Sequence, residues 1–171
     1  MRVLRSFRRR CGKCEVVVAA GTEALRKASN GWEFASRVQR ELGITIRVLA
    51  GEEEGRLARL GGSADWPGAT TLEIGGGSLQ LSDGGRARSL PVGAVTLTER
   101  CLPSDPPTAA ELDAARRTVQ ALLKPVRVRA ATRVVALGGT ASTIGTMRTR
   151  GSIGRAHGLS IALRDLEEFL A

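Results

Sequence analysis

Apolar and polar positions change period several times along this 171-residue chain, and each change predicts an element. Val3, Leu4 and Phe7 fall on one side of residues 3–10 with arginines on the other, the pattern of the end of an amphipathic helix. Residues 16–20 are an unbroken apolar run and predict a buried strand. Gly21-Thr22 turns the chain into a short helix from Glu23 to about Ser29, which Asn30-Gly31 ends. Phe34, Ala35, Val38 and Leu42 recur at helical spacing over residues 32–42, with Gly43 placed to terminate that helix. Residues 44–49 alternate as a strand, and Gly51 opens a helix with Glu52, Glu53 and Glu54 in its first turn.

Residues 61–68, Gly-Gly-Ser-Ala-Asp-Trp-Pro-Gly, are rich in turn formers and poor in periodicity, so they mark a boundary between residues 1–68 and 69–171. Beyond it, residues 70–74, 78–82 and 86–92 read as a meander with Asp83-Gly84-Gly85 as a hairpin turn. Thr108 and Glu111 form a capping box that starts a helix burying Leu112, Ala115, Val119, Leu122 and Leu123, stopped by Pro125. A strand at 133–137, a helix from Thr140 to about Arg148 and a last helix over 163–170 follow. Strands alternating with helices predict an α/β fold in two lobes that meet near residue 68.

Two of these strands run into glycine. Leu72-Glu73-Ile74 is followed by Gly75, Gly76, Gly77 and Ser78, where main-chain N–H groups lack a side-chain shield and can form a concave nest for phosphate oxygens. Val134-Val135-Ala136-Leu137 leads into Gly138, Gly139 and Thr140, then Ser142 and Thr143, at the head of a predicted helix whose N-terminus favours an anion. Either turn alone is an ordinary tight turn; two of them on one chain suggest a polyanion site.

Composition narrows the ligand. Lys and Arg number 26 against 17 acidic residues, a formal charge of +9, and nearly all of the positive charge is arginine, whose bidentate fork suits phosphate. A GC-rich gene would also raise arginine. With no tyrosine and only Phe7, Phe34, Phe169, Trp32 and Trp66 to stack on bases, the balance weighs against nucleic acid. No apolar run approaches the ~20 residues of a membrane span. The basic opening lacks the apolar core of a secretory signal, so the cytoplasm is the expected location. Cys11-Gly12-Lys13-Cys14 has zinc or redox spacing, but only Cys101 and His157 remain to complete a four-ligand site, which favours two reduced thiols flanking a helix.

Six blocks in order carry a resemblance: Gly21-Thr22-Glu23-Ala24-Leu25-Arg26; Gly51-Glu52-Glu53-Glu54-Gly55-Arg56-Leu57; Glu73-Ile74-Gly75-Gly76-Gly77-Ser78; the stretch 89–100; Gly138-Gly139-Thr140-Ala141-Ser142-Thr143; and His157-Gly158. Together they resemble the Ppx/GppA family of exopolyphosphatases and guanosine pentaphosphate phosphohydrolases. The resemblance implies a two-lobed ribonuclease-H-like fold of the actin and sugar-kinase type, with the active site between the lobes. It implies hydrolysis of a terminal phosphoanhydride of polyphosphate or guanosine pentaphosphate with a divalent metal, usually Mg²⁺. Carried over position by position, Glu54 is the carboxylate that activates water, Arg26 contacts phosphate, the two glycine turns cradle phosphates and Glu73 is the metal-side acid; His157 matches the H-G motif, where a structural role is as fitting as a chemical one.

Three departures stand out. The family pattern at the first glycine loop is D-x-G-G-G-S-T-E, and this chain has Glu73, Leu79 and Gln80 for the aspartate, threonine and final glutamate. An amide at 80 is a poor substitute for an anionic metal ligand. Nothing matches the opening D-x-G-S-N-[ST] cradle, and the chain stops short of the family's closing segment. The expectation is thus a first lobe that is incomplete, impaired hydrolysis, or a noncatalytic polyanion-binding module of the same fold, and self-association through the first ~65 residues, where uncovered strand edges would lie.

Overall fold

The computed structural model describes residues 1–84, 86–128, 133–149 and 156–170. It divides into two compact units, Met1–Glu54 and Gly55–Ala171.

The first unit runs α1 (Arg2–Arg10), β1 (Ala19–Gly21), α2 (Glu23–Lys27), α3 (Gly31–Leu42) and β2 (Ile46–Val48), then enters α4 (Gly51–Gly62). Strands β1 and β2 pair in parallel, Ala20 opposite Arg47, as a two-stranded sheet. Val38, fully buried on α3, anchors this unit, and Gly43 ends α3 at φ 65°. The strand expected over residues 16–20 is a correction: only Ala19 and Ala20 of that run are in β1, while Val16 and Val18 are 75% and 87% exposed. An apolar run becomes a buried strand only where neighbours cover it, and among the described residues β1 has a single partner over three residues. The strand expected over 44–49 shortens to β2 for the same reason.

The second unit holds a four-stranded mixed sheet of order β5-β4-β3-β6. Its strands are β3 (Thr70–Ile74), β4 (Leu79–Asp83), β5 (Arg86–Leu90) and β6 (Val134–Leu137); β3, β4 and β5 are an antiparallel meander, and β6 lies parallel to β3. Gly85 of the expected hairpin turn lies outside the described residues. Helix α4 lies on one face: a methyl at Gly55 would stand 3.2 Å from Ala87 Cβ and 3.5 Å from Gln80 Cβ, and one at Gly62 2.7 Å from Leu137. This packing is why the compact units part at Glu54, inside α4, while the turn-rich segment around residue 68 lies beyond the helix. The covered face is unusually polar, with Thr71, Gln80 and Ser82 each 2% exposed.

Helices α5 (Ala94–Cys101), α6 (Ala109–Leu123), α7 (Gly138–Arg148) and α8 (Leu163–Glu167), the last with a 3-10 turn over Glu168–Leu170, complete the unit. The sequence pattern missed α5. The α6 capping box forms as expected: Thr108 N–H donates to Glu111 Oε2 at 2.6 Å and Glu111 N–H to Thr108 Oγ1 at 3.3 Å. The Thr108 amide, with the Ser104 hydroxyl, holds the Glu111 carboxyl below its usual range. Thr108→Ala should therefore cost about 1 kcal/mol, read as a lower denaturant midpoint. Glu111 is depressed in the folded state, so its contribution is present above the unfolded carboxylate pKa and is lost as pH falls through the lower folded value. Thr108→Ala removes the hydroxyl but keeps the amide that holds Glu111, so its cost should largely persist in acid, and a gap that vanishes there would contradict the capping assignment.

Candidate functional site

The loop Gly75–Ser78 joins β3 to β4, and its backbone polarity is fixed by α5. Ala94 N–H donates to Gly75 O at 2.9 Å, and Val95 and Thr96 N–H donate to Gly76 O at 2.9 and 3.1 Å. The first-turn amides of α5, which have no intrahelical acceptors, are thus satisfied by carbonyls of the glycine loop. Thr96 Oγ1 accepts from Gly93 N–H at 2.9 Å and closes the cap. With its carbonyls spent on the helix, the loop turns amide donors the other way. Gly75 N–H closes on Ser78 O at 3.0 Å, and the amides of Gly76 and Gly77 have no acceptor among the described residues.

Contact is so close because residue 93 is glycine. A Cβ there would stand 2.5 Å from both the carbonyl carbon and oxygen of Gly76 and 2.6 Å from Gly75 O.

The second turn lies beside the first. Strands β3 and β6 are parallel with Glu73 opposite Leu137, so their carboxyl ends deliver Gly75 and Gly138 to the same end of the sheet. Open α/β sheets take ligands outside the carboxyl ends of parallel strands. Gly138, at φ 87°, is in the left-handed region, and a methyl on it would stand 3.2 Å from Ile74 O and 3.3 Å from Glu73 Cγ. Helix α7 starts at this residue without a side-chain cap, so the amides of Gly139 and Thr140 also have no acceptor among the described residues. Ser142 and Thr143 hydroxyls instead bond back to Gly138 O and Gly139 O at 3.0 and 2.9 Å. Two sets of open main-chain donors at one sheet end, with Glu73 at their margin, can bind adjacent oxygens of an anion.

Gln80 makes structural contacts. It is buried in β4, and its amide Nε2 donates to Ser78 Oγ at 2.7 Å and Ser89 Oγ at 3.1 Å. A glutamate could not make both donations while ionised. The residue that departs from the family pattern thus ties Ser78, the last residue of the glycine loop, to β5.

In the first unit, Arg26 and Glu54 meet. Arg26 Nη1 donates to Leu49 O at 2.6 Å and to Glu54 Oε2 at 2.9 Å, while Nη2 donates to Glu23 Oε2 at 3.0 Å. Lys27 Nζ lies 2.5 Å from the other Glu23 oxygen. That lysine holds the Glu23 carboxyl below its usual range; burial opposes the effect and Arg26 adds to it. For Arg26, burial is the largest single influence and acts against the charge, yet its hydrogen bonds to the Glu54 and Glu23 carboxylates, with their charges, outweigh it and raise the pKa. Arg26, read from the sequence as a phosphate contact, is here bonded to the carboxylate read as water-activating, and its Nε–H and second Nη2–H are left without a partner among the described residues.

His157 lies 3.7 Å from Asp65 and its ring centroid is 6.1 Å from that of Trp66, both ion-pair residues largely exposed. Among the described residues no three of His, Cys, Asp and Glu gather into a metal cage. Mg²⁺ rarely requires one, since it keeps several waters and is bound through one or two carboxylates and substrate phosphates, so one carboxylate, Glu73, at the margin of an anion nest is a fitting donor set. Among the described residues no helix is long and apolar enough to cross a membrane.

A sequence model of the Ppx/GppA phosphatase family matches residues 1–171. The chain belongs to the Ppx/GppA phosphatase family. It is 42% identical over 104 residues to exopolyphosphatase 1 of Mycobacterium leprae, which covers 55% of this chain and 30% of that protein. It is 34% identical over 151 residues to exopolyphosphatase 2 of Mycobacterium tuberculosis, covering 78% and 47%. Among solved structures, the Ppx/GppA family member of Aquifex aeolicus matches with a TM-score of 0.77 at 29% identity over 98% of this chain and 59% of its own. The α/β architecture expected from the sequence, of the actin and ribonuclease-H-like type, is that of these Ppx/GppA structures. The chain spans under half the length of these two curated relatives.

Proposed function

We propose that this Ppx/GppA chain serves hydrolysis of a terminal phosphoanhydride, with inorganic polyphosphate or guanosine pentaphosphate as substrate. The observation that carries the proposal is the pairing of two glycine turns at one sheet end, each presenting main-chain donors that nothing in the described protein consumes. Phosphoryl transfer demands positioning and charge neutralisation more than covalent chemistry, and fixed main-chain dipoles supply both without reorganising. Gly75, Gly76, Gly77 and Ser78 would hold one phosphate, and Gly138, Gly139 and Thr140 its neighbour. Glu54 would take the proton of the attacking water, and Arg26, hydrogen-bonded to it, would fix that carboxylate's orientation. Glu73 would hold a magnesium ion, which supplies charge neutralisation at the transferring group when bound with substrate.

Release of inorganic phosphate from long-chain polyphosphate and from guanosine pentaphosphate, with magnesium and with chelator, tests this. Magnesium-dependent release from the chain end supports the reading; tight binding of polyphosphate without release supports the other one, a noncatalytic polyanion-binding module. The Gln80 contacts favour that second reading specifically, because they place an amide hydrogen-bonded to two serines where the family pattern has a carboxylate.

The two readings part at Gln80→Glu. Combined with Glu73→Asp, it should raise magnesium affinity or phosphate release if the nest is catalytic. It should also lower thermal stability by about 1–3 kcal/mol, because Ser78 and Ser89 lose their donor and a carboxylate is buried. Calorimetric metal titration and a melting curve measure both, and lower stability with unchanged metal affinity would mark residue 80 as purely architectural.

A further inference from the structure

Outside this site, the second unit has a pocket of about 260 Å³ lined by Leu81, Asp83, Arg86, Arg88, Arg127 and Val128. Its location follows from the sheet register. Leu81 pairs with Arg88 and Asp83 with Arg86, so all four share one face, and strand alternation makes it the face opposite Gln80, Ser82 and α4. Arg127 and Val128, on the segment that follows α6, supply the remaining wall. The pocket lies toward the β4–β5 hairpin, and five residues of strand separate Asp83 from Ser78, roughly 17 Å at about 3.4 Å per residue. It is not an extension of the glycine turns.

Its charge is unbalanced. Three guanidinium groups face one carboxylate, and none of Arg86, Arg88 or Arg127 pairs with an acidic side chain among the described residues. Six other described arginines, Arg5, Arg26, Arg37, Arg47, Arg116 and Arg148, have carboxylate partners and many exposed ones do not; what sets these three apart is that they line one pocket. Arg127 is partly immobilised, since its Nη1 donates to Lys124 O at 3.0 Å near the end of α6, which leaves the rest of its fork to face the pocket. Converging unpaired guanidinium groups repel one another and present parallel N–H pairs matched to phosphate oxygens.

We propose that this pocket is a second anion site that takes a compact phosphoanhydride of about pyrophosphate size. The volume sits below the ~300–1,000 Å³ of pockets that enclose drug-sized ligands, which suits a small, highly charged group. A nucleic-acid strand needs a groove that tracks its backbone and rings to stack on, and no aromatic residue lines this pocket. The proposal does not depend on hydrolysis at the glycine turns.

The test is titration of the whole chain with inorganic pyrophosphate in chelator, followed by amide chemical shifts. Saturable shifts centred on residues 81–88 and 126–128 are expected, with affinity falling as salt rises. Arg86→Ala with Arg88→Ala should weaken binding at these amides at least tenfold, as should Arg127→Ala at a position outside the sheet. Arg88→Lys, which keeps the charge and loses the fork, should fall between. Shifts confined to residues 75–78 and 138–140, parent affinity in both arginine variants at unchanged melting temperature, or tighter binding of single-stranded oligothymidylate at the same amides would each overturn it.

Discussion

Gly93→Ala is expected to unseat the glycine loop. The added methyl would meet backbone atoms of Gly75 and Gly76 at 2.5–2.6 Å, and backbone cannot rotate aside as a side chain can. Overpacking of this kind costs about 1–3 kcal/mol, and here relief requires α5 to withdraw and give up its bonds to Gly75 and Gly76 carbonyls. The loop carbonyls would then be free to turn toward the ligand side and repel phosphate. The second unit should therefore melt earlier and polyphosphate binding should fall by at least tenfold. Gly61→Ala is the control, because nothing lies within 4 Å of a methyl there, the position is outside the glycine turns and alanine favours the helix. A Gly93→Ala protein that binds and melts like Gly61→Ala would show that the loop does not depend on this contact.

The second large effect concerns Arg26 and Glu54. Glu54→Gln should lower turnover by about 10²–10⁴ while leaving polyphosphate binding nearly intact, because it removes a proton acceptor and none of the main-chain donors. Stability should change little, since Arg26 keeps Leu49 O and Glu23. Arg26→Ala should behave differently. It leaves Glu23 and Glu54 without their shared cation, and hydrogen bonds to charged groups are worth about 1.5–3 kcal/mol each, discounted here because the side chain is about a fifth exposed. Amide exchange at residues 21–27 and 49–54 should accelerate. The pH dependence has a definite sign: Glu23 is depressed in the folded state, so its contribution is present above the unfolded value of about 4.3 and disappears as acid carries it through the lower folded pKa. The destabilisation by Arg26→Ala should shrink in that window, and turnover loss equal to that of Glu54→Gln with no change in exchange would assign Arg26 to the ligand instead.

What was readable in the sequence was whatever is decided locally. The α6 capping box uses residues three apart, and both glycine turns are written in consecutive residues. Helix α5 was not readable because its N-terminus is satisfied by carbonyls some twenty residues earlier, through a Gly93 whose role exists only against Gly76. Residues 16–18 have the composition of a buried strand, but burial belongs to the neighbours, and β1 has one. Gln80 looked like a lost acid, and its donations to Ser78 and Ser89 depend on register between β4 and β5. The arginine pocket joins residues some forty positions apart, although Arg86 and Arg88 already stood on one strand face by their spacing.

The glycine loop is built from main chain, and that makes its vulnerability one-sided. Truncating a neighbouring side chain leaves every amide of Gly75–Ser78 in existence, so drift at positions such as Leu79 or Gln80 can weaken its support without deleting a donor. What the loop cannot absorb is added volume. Its failures should therefore come from gain of atoms at Gly93 or Gly138 and seldom from loss of atoms elsewhere, so a truncation scan would find a silent region where an enlargement scan would find the site.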